Sequence, residues 1–151
     1  MDKSVLGKEY PPFQWTVEKG KIKEFADAIN DPNPVYRDEK YAKSEGFAGI
    51  IAPPTFTMVS TFISHDEARE ELKRRPGSSL HGEEEFEYLK PILAGDVLTG
   101  QMKTIKMFEK QGSRGGRMLF AVIETTFTNQ KGEKVLVARE SMLETEEEKA
   151  K

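Results

Sequence analysis

Two short stretches concentrate the residues able to do chemistry: Asp31-Pro32-Asn33-Pro34-Val35-Tyr36, and Phe47-Ala48-Gly49-Ile50-Ile51-Ala52-Pro53-Pro54-Thr55-Phe56. A carboxylate at Asp31 can orient a water molecule or take its proton. The Tyr36 phenol has an ordinary pKa of roughly 10, so near neutrality it is a poor base and a good hydrogen-bond donor to water or a carbonyl oxygen. Together they suit acid–base chemistry on water. Each also has a plainer reading. Asp-Pro commonly closes a helix and opens a turn, and Asn33-Pro34 is a turn former. A tyrosine offers a large apolar body for packing or for lining a tunnel.

Other chemistries narrow quickly. The chain has no cysteine, which excludes disulfides, a thiolate nucleophile and cysteine-ligated zinc or iron–sulfur centres. It has two histidines. His65, in Ser64-His65-Asp66-Glu67, reads as a residue on the polar end of a helix. His81 opens a strand ahead of Glu83-Glu84-Glu85; it reads either as a strand-edge histidine or as a base to be tested. The three glutamates alternate across that strand and make no ready metal site, so neither a metal nor a redox cofactor is expected. Gly112-Ser113-Arg114-Gly115-Gly116 lacks the spacing and strand–turn–helix setting of a nucleotide loop and reads as a hairpin tip. Arg74-Arg75 and Arg114/Arg117 have the chemistry to grip phosphate, although isolated loop arginines are usually solvated.

The elements that must position these residues follow from pattern. With 151 residues, a single domain over 1–151 is expected. The net charge of -3 argues against a broad nucleic-acid surface. No apolar run suits a signal peptide or a membrane span, and we expect a cytoplasmic protein. The acidic end, about 145–151, reads as a solvated, frayed tail. Phe13–Val17 reads as a first strand, and Ile22, Phe25, Ala26 and Ile29 mark one face of a helix ended at Asn30-Asp31-Pro32. The loop to Pro54 holds a short helix at Glu39–Ser44. Phe56, Val59, Phe62 and Ile63 mark a long buried helix reaching about Arg74, their spacing fitting core packing or the wall of an apolar channel. Segments near Leu80–Tyr88, Val97–Phe108, Arg117–Asn129 and Lys134–Leu143 alternate like strands. Helices followed by a run of antiparallel strands give an α+β class.

The Phe25-Ala26-Asp27-Ala28-Ile29-Asn30 run into Asp31, Asn33 and Pro34, with Tyr41-Ala42 and Phe47 beyond, resembles the MaoC-like (R)-specific enoyl hydratases and (3R)-hydroxyacyl-thioester dehydratases. Leu80-His81-Gly82-Glu83, Phe86-Glu87-Tyr88, Lys90-Pro91 and Ala94-Gly95-Asp96 extend the likeness, particularly to their FAS1-like dehydratase N-terminal branch. The resemblance implies a hot-dog fold, an antiparallel sheet wrapped around a long buried helix. It implies reversible addition of water to a 2-enoyl thioester carried on CoA or acyl carrier protein. In that family Asp and His of D-x-N-P-x-H share the water; Tyr36 stands here in the histidine's place. The family's glycine before the buried helix is here Pro54, which has no N–H, so the oxyanion donor would pass to the Thr55 N–H. The implied catalytic residues are Asp31, Tyr36 and His81, and the implied substrate contacts are Asn33, Pro53, Thr55 and Phe56.

Three functions remain open on this reading. In two-subunit members of the family one hot-dog chain lacks the Asp/His pair and shapes the acyl tunnel while its partner supplies catalysis; Tyr36 makes this chain resemble that subunit, a heterodimer partner of a second MaoC-like chain. The alternatives are a self-sufficient homodimeric hydratase using Asp31 with Tyr36 or His81, and an acyl-thioester binder without turnover. A hot-dog thioesterase ranks lower.

Overall fold

The computed structural model describes residues 1–62, 67–74, 78–112 and 116–145. Five antiparallel strands form one sheet in the order β1-β3-β4-β5-β2. They are β1 Phe13–Thr16, β2 Ser79–Tyr88, β3 Val97–Gln111, β4 Arg117–Thr128 and β5 Lys134–Thr145. Three helices, α1 Lys19–Ala28, α2 Glu39–Ser44 and α3 Glu67–Glu71, join 3-10 segments at Lys3–Val5, Pro34–Tyr36 and Phe56–Phe62. This is the α+β hot-dog arrangement. β1 and β2 are its edges, and among the described residues β2 pairs with β5 alone.

The sheet has one packed face. Leu98, Met102 and Thr104 of β3, Ala121, Ile123 and Phe127 of β4, and Leu136, Ala138 and Met142 of β5 are buried at even spacing, as a half-buried antiparallel sheet requires. Against that face lies the 3-10 segment. Its first residue, Phe56, is 0% exposed. The Phe56 ring meets Trp15 of β1 at 5.6 Å and, edge-on, Phe25 of α1 at 5.5 Å between centroids.

Three expectations need correcting. The buried helix is not one long α-helix: the described part is the 3-10 segment Phe56–Phe62 and the short α3, and residues 63–66, with Ile63 and His65, lie outside the description. Thr55, Thr57 and Ser60 around the β-branched Val59 supply hydroxyls and crowded side chains that weaken α-helix formation there. Ile29 does not join the packed face of α1. It is the residue capping the helix end and is 45% exposed, while Ile22 and Ala26 are buried. Finally, Thr145 belongs to β5 rather than to a frayed tail, because the ladder with β4 runs to it; residues 146–151 lie outside the description.

Removing the ring that joins β1, α1 and the 3-10 segment leaves a cavity the surroundings cannot fill. Phe56→Ala is expected to cost about 3–5 kcal/mol in stability, read from the midpoint of urea unfolding.

Candidate active site

The position of Asp31 is set by how α1 ends. Asn30 takes a left-handed conformation at φ 55, which asparagine tolerates better than most residues. The Asp31 N–H then donates to the Ala26 carbonyl at 2.9 Å and the Asn30 N–H to that of Asp27 at 3.1 Å, the double closure of a Schellman turn. From there each polar side chain orders the next step. Asp31 Oδ1 accepts the Asn33 N–H at 3.0 Å, and Asn33 Oδ1 accepts the Val35 N–H at 3.1 Å, starting the 3-10 turn that carries Tyr36. Arg37 straps the loop to α1, donating to the Asn33 carbonyl at 3.2 Å and to Asp27 at 2.7 Å. Asn33 is therefore a loop-building residue.

Tyr36 is buried at 7% exposed. Burial, and then the negative charge of nearby Asp31, push its pKa above the ordinary phenol value. The phenol remains protonated through the neutral range, a donor and not a base.

The second stretch is held by the connection between β2 and β3. Ala52 N–H donates to the Ile92 carbonyl at 2.8 Å and Ala94 N–H to that of Ile50 at 2.9 Å. Ile51 N–H reaches the Val35 carbonyl at 3.4 Å, tying this stretch to the Asp31–Tyr36 loop. Pro53-Pro54-Thr55-Phe56 closes as a turn, with Phe56 N–H on the Pro53 carbonyl at 2.9 Å. A proline suits the second place of such a turn. The N–H of its third residue takes no part in the closing bond. Thr55 is exposed, and among the described residues its N–H has no hydrogen-bond partner.

Sequence reasoning missed two residues here. The Tyr88 hydroxyl, at the end of β2, donates to the Pro54 carbonyl at 2.9 Å. The residue as a whole is 36% exposed, yet its hydroxyl end is desolvated. Burial first, and then Tyr36, push its pKa up to about 12. Thr57 is buried, and its hydroxyl lies near enough to the Tyr88 oxygen to offset part of that rise. That contact lacks hydrogen-bond geometry, so the Thr57 hydroxyl is buried without a partner. Tyr88 stands in the Phe86-Glu87-Tyr88 stretch of the resemblance without a role attached to it, and Thr57 in no motif; only the strand register brings Tyr88 to a carbonyl so distant in the chain. Beside them runs an apolar cleft of about 300 Å³ lined by Phe47, Ile51, Pro54, Tyr88, Leu89 and Ile92. A second, of about 480 Å³, is walled by Trp15, Phe25, Ala28 and Val59. Val59 thus fits the channel reading, whereas Phe56 and Pro53 have their side chains in the packed interior.

The structure separates His81 from this site within the chain. His81 and Tyr88 lie towards opposite ends of β2, roughly 20 Å apart at ~3.3 Å per residue. Its imidazole instead meets Glu84 at 3.0 Å and Glu140 at 3.9 Å, three ligand-type groups drawn within 4.8 Å of one another. Alternation along β2 could not show this grouping, since Glu140 comes from β5. Arg69 supplies positive charge there, its Nε donating to Glu140 at 3.0 Å. Burial raises the Glu84 pKa, while His81 opposes the rise. The candidate phosphate-binding arginines are engaged where described: Arg74 on the Ser79 hydroxyl and Arg117 on Glu109. Arg75 and Arg114 lie outside the described residues.

Comparison with known proteins agrees with this picture. The model of the family described as "FAS1-like, dehydratase domain region" matches residues 4–138. A UPF0336 protein of Saccharopolyspora erythraea is 34% identical over 146 residues, 95% of this chain and 90% of its own. A solved MaoC-like dehydratase superposes with a TM-score of 0.79 at 26% identity, over 94% of this chain and 42% of its own. The C-terminally truncated HadBC (3R-hydroxyacyl-ACP dehydratase) complex of Mycobacterium tuberculosis shares the fold at a TM-score of 0.76 and 22% identity, over 94% of this chain and 99% of its own.

The raised phenols fix a pH dependence. Between about pH 10, where an unfolded tyrosine ionises, and about 12 for Tyr88 in the folded chain, the unfolded state gives up a proton that the native state keeps. Stability is therefore complete below this window and falls as pH rises through it. Ultraviolet titration of tyrosinate should show a late-ionising component that Tyr88→Phe removes. The same substitution should flatten the alkaline loss of stability.

Proposed function

The chain belongs to the FAS1-like dehydratase family, a branch of the MaoC-like dehydratases, and on that premise we propose that it is the thioester-binding subunit of a hetero-oligomeric hydratase/dehydratase. The substrate is a 2-enoyl or (R)-3-hydroxyacyl thioester on CoA or acyl carrier protein. A second MaoC-like chain carrying the full D-x-N-P-x-H element supplies the imidazole. The observation that supports this most is that Asp31 has a buried, protonated phenol beside it where the family has a base.

Hydration needs water's oxygen to bond to the β carbon while a base takes a water proton. The alkene electron pair moves towards the thioester carbonyl, and the α carbon then gains a proton. No oxidant or metal enters the balance. In this reading the Thr55 N–H donates a hydrogen bond to the thioester oxygen as negative charge grows on it, Tyr36 donates another hydrogen bond, and Asp31 helps orient the water. The apolar clefts beside Pro54 and Val59 receive the flexible arms of the thioester. The missing function is the base that takes water's proton, which a phenol held protonated does not provide. The HadBC dehydratase, a complex of the same fold, lends this arrangement a precedent. No helix among the described residues is long and apolar enough to cross a membrane, and we place the reaction in the cytoplasm.

The nearness of Asp31 to Tyr36 favours one other reading, a homodimer that works with these two residues alone. Hydration of crotonyl-CoA and of a longer enoyl-CoA separates them. The purified chain is expected to show little or no turnover, and co-expression with a D-x-N-P-x-H partner should bring turnover up. Turnover by the chain alone that Asp31→Asn abolishes would establish the homodimer instead. Binding of acyl-CoA with no turnover in either preparation would leave a non-catalytic binder.

A further inference from the structure

We propose that Tyr88 is a positioning residue that aims the Thr55 N–H at the thioester oxygen by holding the other side of the same peptide unit. The inference rests on the thioester-binding reading above and names the device that prepares its donor.

The Pro54 carbonyl and the Thr55 N–H belong to one peptide group. In a planar trans peptide they point in opposite directions, so whatever fixes the carbonyl fixes the N–H. Turn closure does not do this, because its bond runs from Phe56 N–H to the Pro53 carbonyl. The peptide between the two central turn residues is the one such a closure leaves unbonded, and its two orientations separate type I from type II turns. Thr55 has no positive φ, so the type II orientation is already closed to this turn; the 2.9 Å hydrogen bond from Tyr88 to the Pro54 carbonyl fixes the tilt of the peptide plane within the one that remains. On the opposite side of the same plane the Thr55 N–H is left without a partner among the described residues, on an exposed residue. A hydrogen bond accepted at the carbonyl also polarises the amide, which makes its N–H a stronger donor.

Two further features fit this role. The Tyr88 hydroxyl is desolvated and holds its proton well above neutral pH, so the donor is present throughout the working range. Strand β2 anchors the ring, with Tyr88 paired to Leu136 of β5, and Leu136 is fully buried. The aiming group therefore sits on rigid sheet while the group it aims sits on a turn, an arrangement that gives a loop the precision of a strand.

The test uses butyryl-CoA, a saturated thioester that binds without being hydrated, and nuclear magnetic resonance of the labelled chain. In the wild type its carbonyl should shift the Thr55 amide proton downfield. In Tyr88→Phe, which keeps the ring and loses the hydroxyl, the Pro54 carbonyl carbon should move in the free protein. The ligand-induced Thr55 shift should shrink, and affinity should fall about 3- to 10-fold, the range for one hydrogen bond. Tyr41→Phe, on the exposed Tyr41 of α2, should change none of these. A Thr55 amide that responds equally to butyryl-CoA in both proteins, or fails to respond in a wild type that binds, would overturn the role of Tyr88. Absence of binding by both butyryl-CoA and butyrylated acyl carrier protein would overturn the thioester-binding reading itself. In that case the Pro54 carbonyl shift alone decides whether Tyr88 holds the peptide: a shift unchanged by Tyr88→Phe refutes it.

Discussion

The Phe56 ring, sealed between Trp15 and Phe25, is the contact on which the rest of the site depends. It pins the start of the 3-10 segment to β1 and α1 at once. Because Phe56 N–H also closes the turn onto Pro53, burying one aromatic side chain sets the turn that presents Thr55. Asp31 is located from the same side, since α1 carries Phe25 into that cluster and ends in the Schellman turn that delivers the carboxylate. Apolar packing fixes the frame, and a short series of local hydrogen bonds places the polar groups upon it.

The charge balance explains what the chemistry lacks. Tyr36 lies in a setting that penalises ionisation twice, by removing water and by facing Asp31. Tyr88 is held protonated by burial and by the neighbouring phenol. Two phenols that keep their protons leave the site without a phenolate base; Tyr88 gives its one donor to the Pro54 carbonyl, and Tyr36 is the phenol left as a donor.

Much of this was legible in the chain itself. Strands β2 to β5 stand out because alternation between a buried and an open face writes a period of two into the sequence, and α2 was found with its observed ends. The grouping of Asp31, Asn33 and Tyr36 is local and could be seen directly, as could the absence of an N–H at Pro54. What stayed hidden depends on distance or on subtle backbone energy. Tyr88 reaches Pro54 only because of how β2 registers against β5. Glu140 joins His81 for the same kind of reason. The 3-10 character of Phe56–Phe62 reflects competition between hydroxyl side chains and helical bonding, which apolar spacing does not record. Helical spacing favoured the interior for Phe56 over a ligand wall, and the aromatic neighbours that enclose it come from two other elements.

The open flank of β2 gives this architecture a thermodynamic property of its own. Its outward N–H and C=O groups have no protein partner among the described residues, and unpaired strand edges invite a further strand. Tyr88 closes that same strand. A chain that docks there would stiffen the backbone carrying the tyrosine, and through it the amide at Thr55. Association and thioester capture would then be linked equilibria, and linkage is symmetric: whatever factor assembly adds to ligand affinity, the ligand returns to assembly.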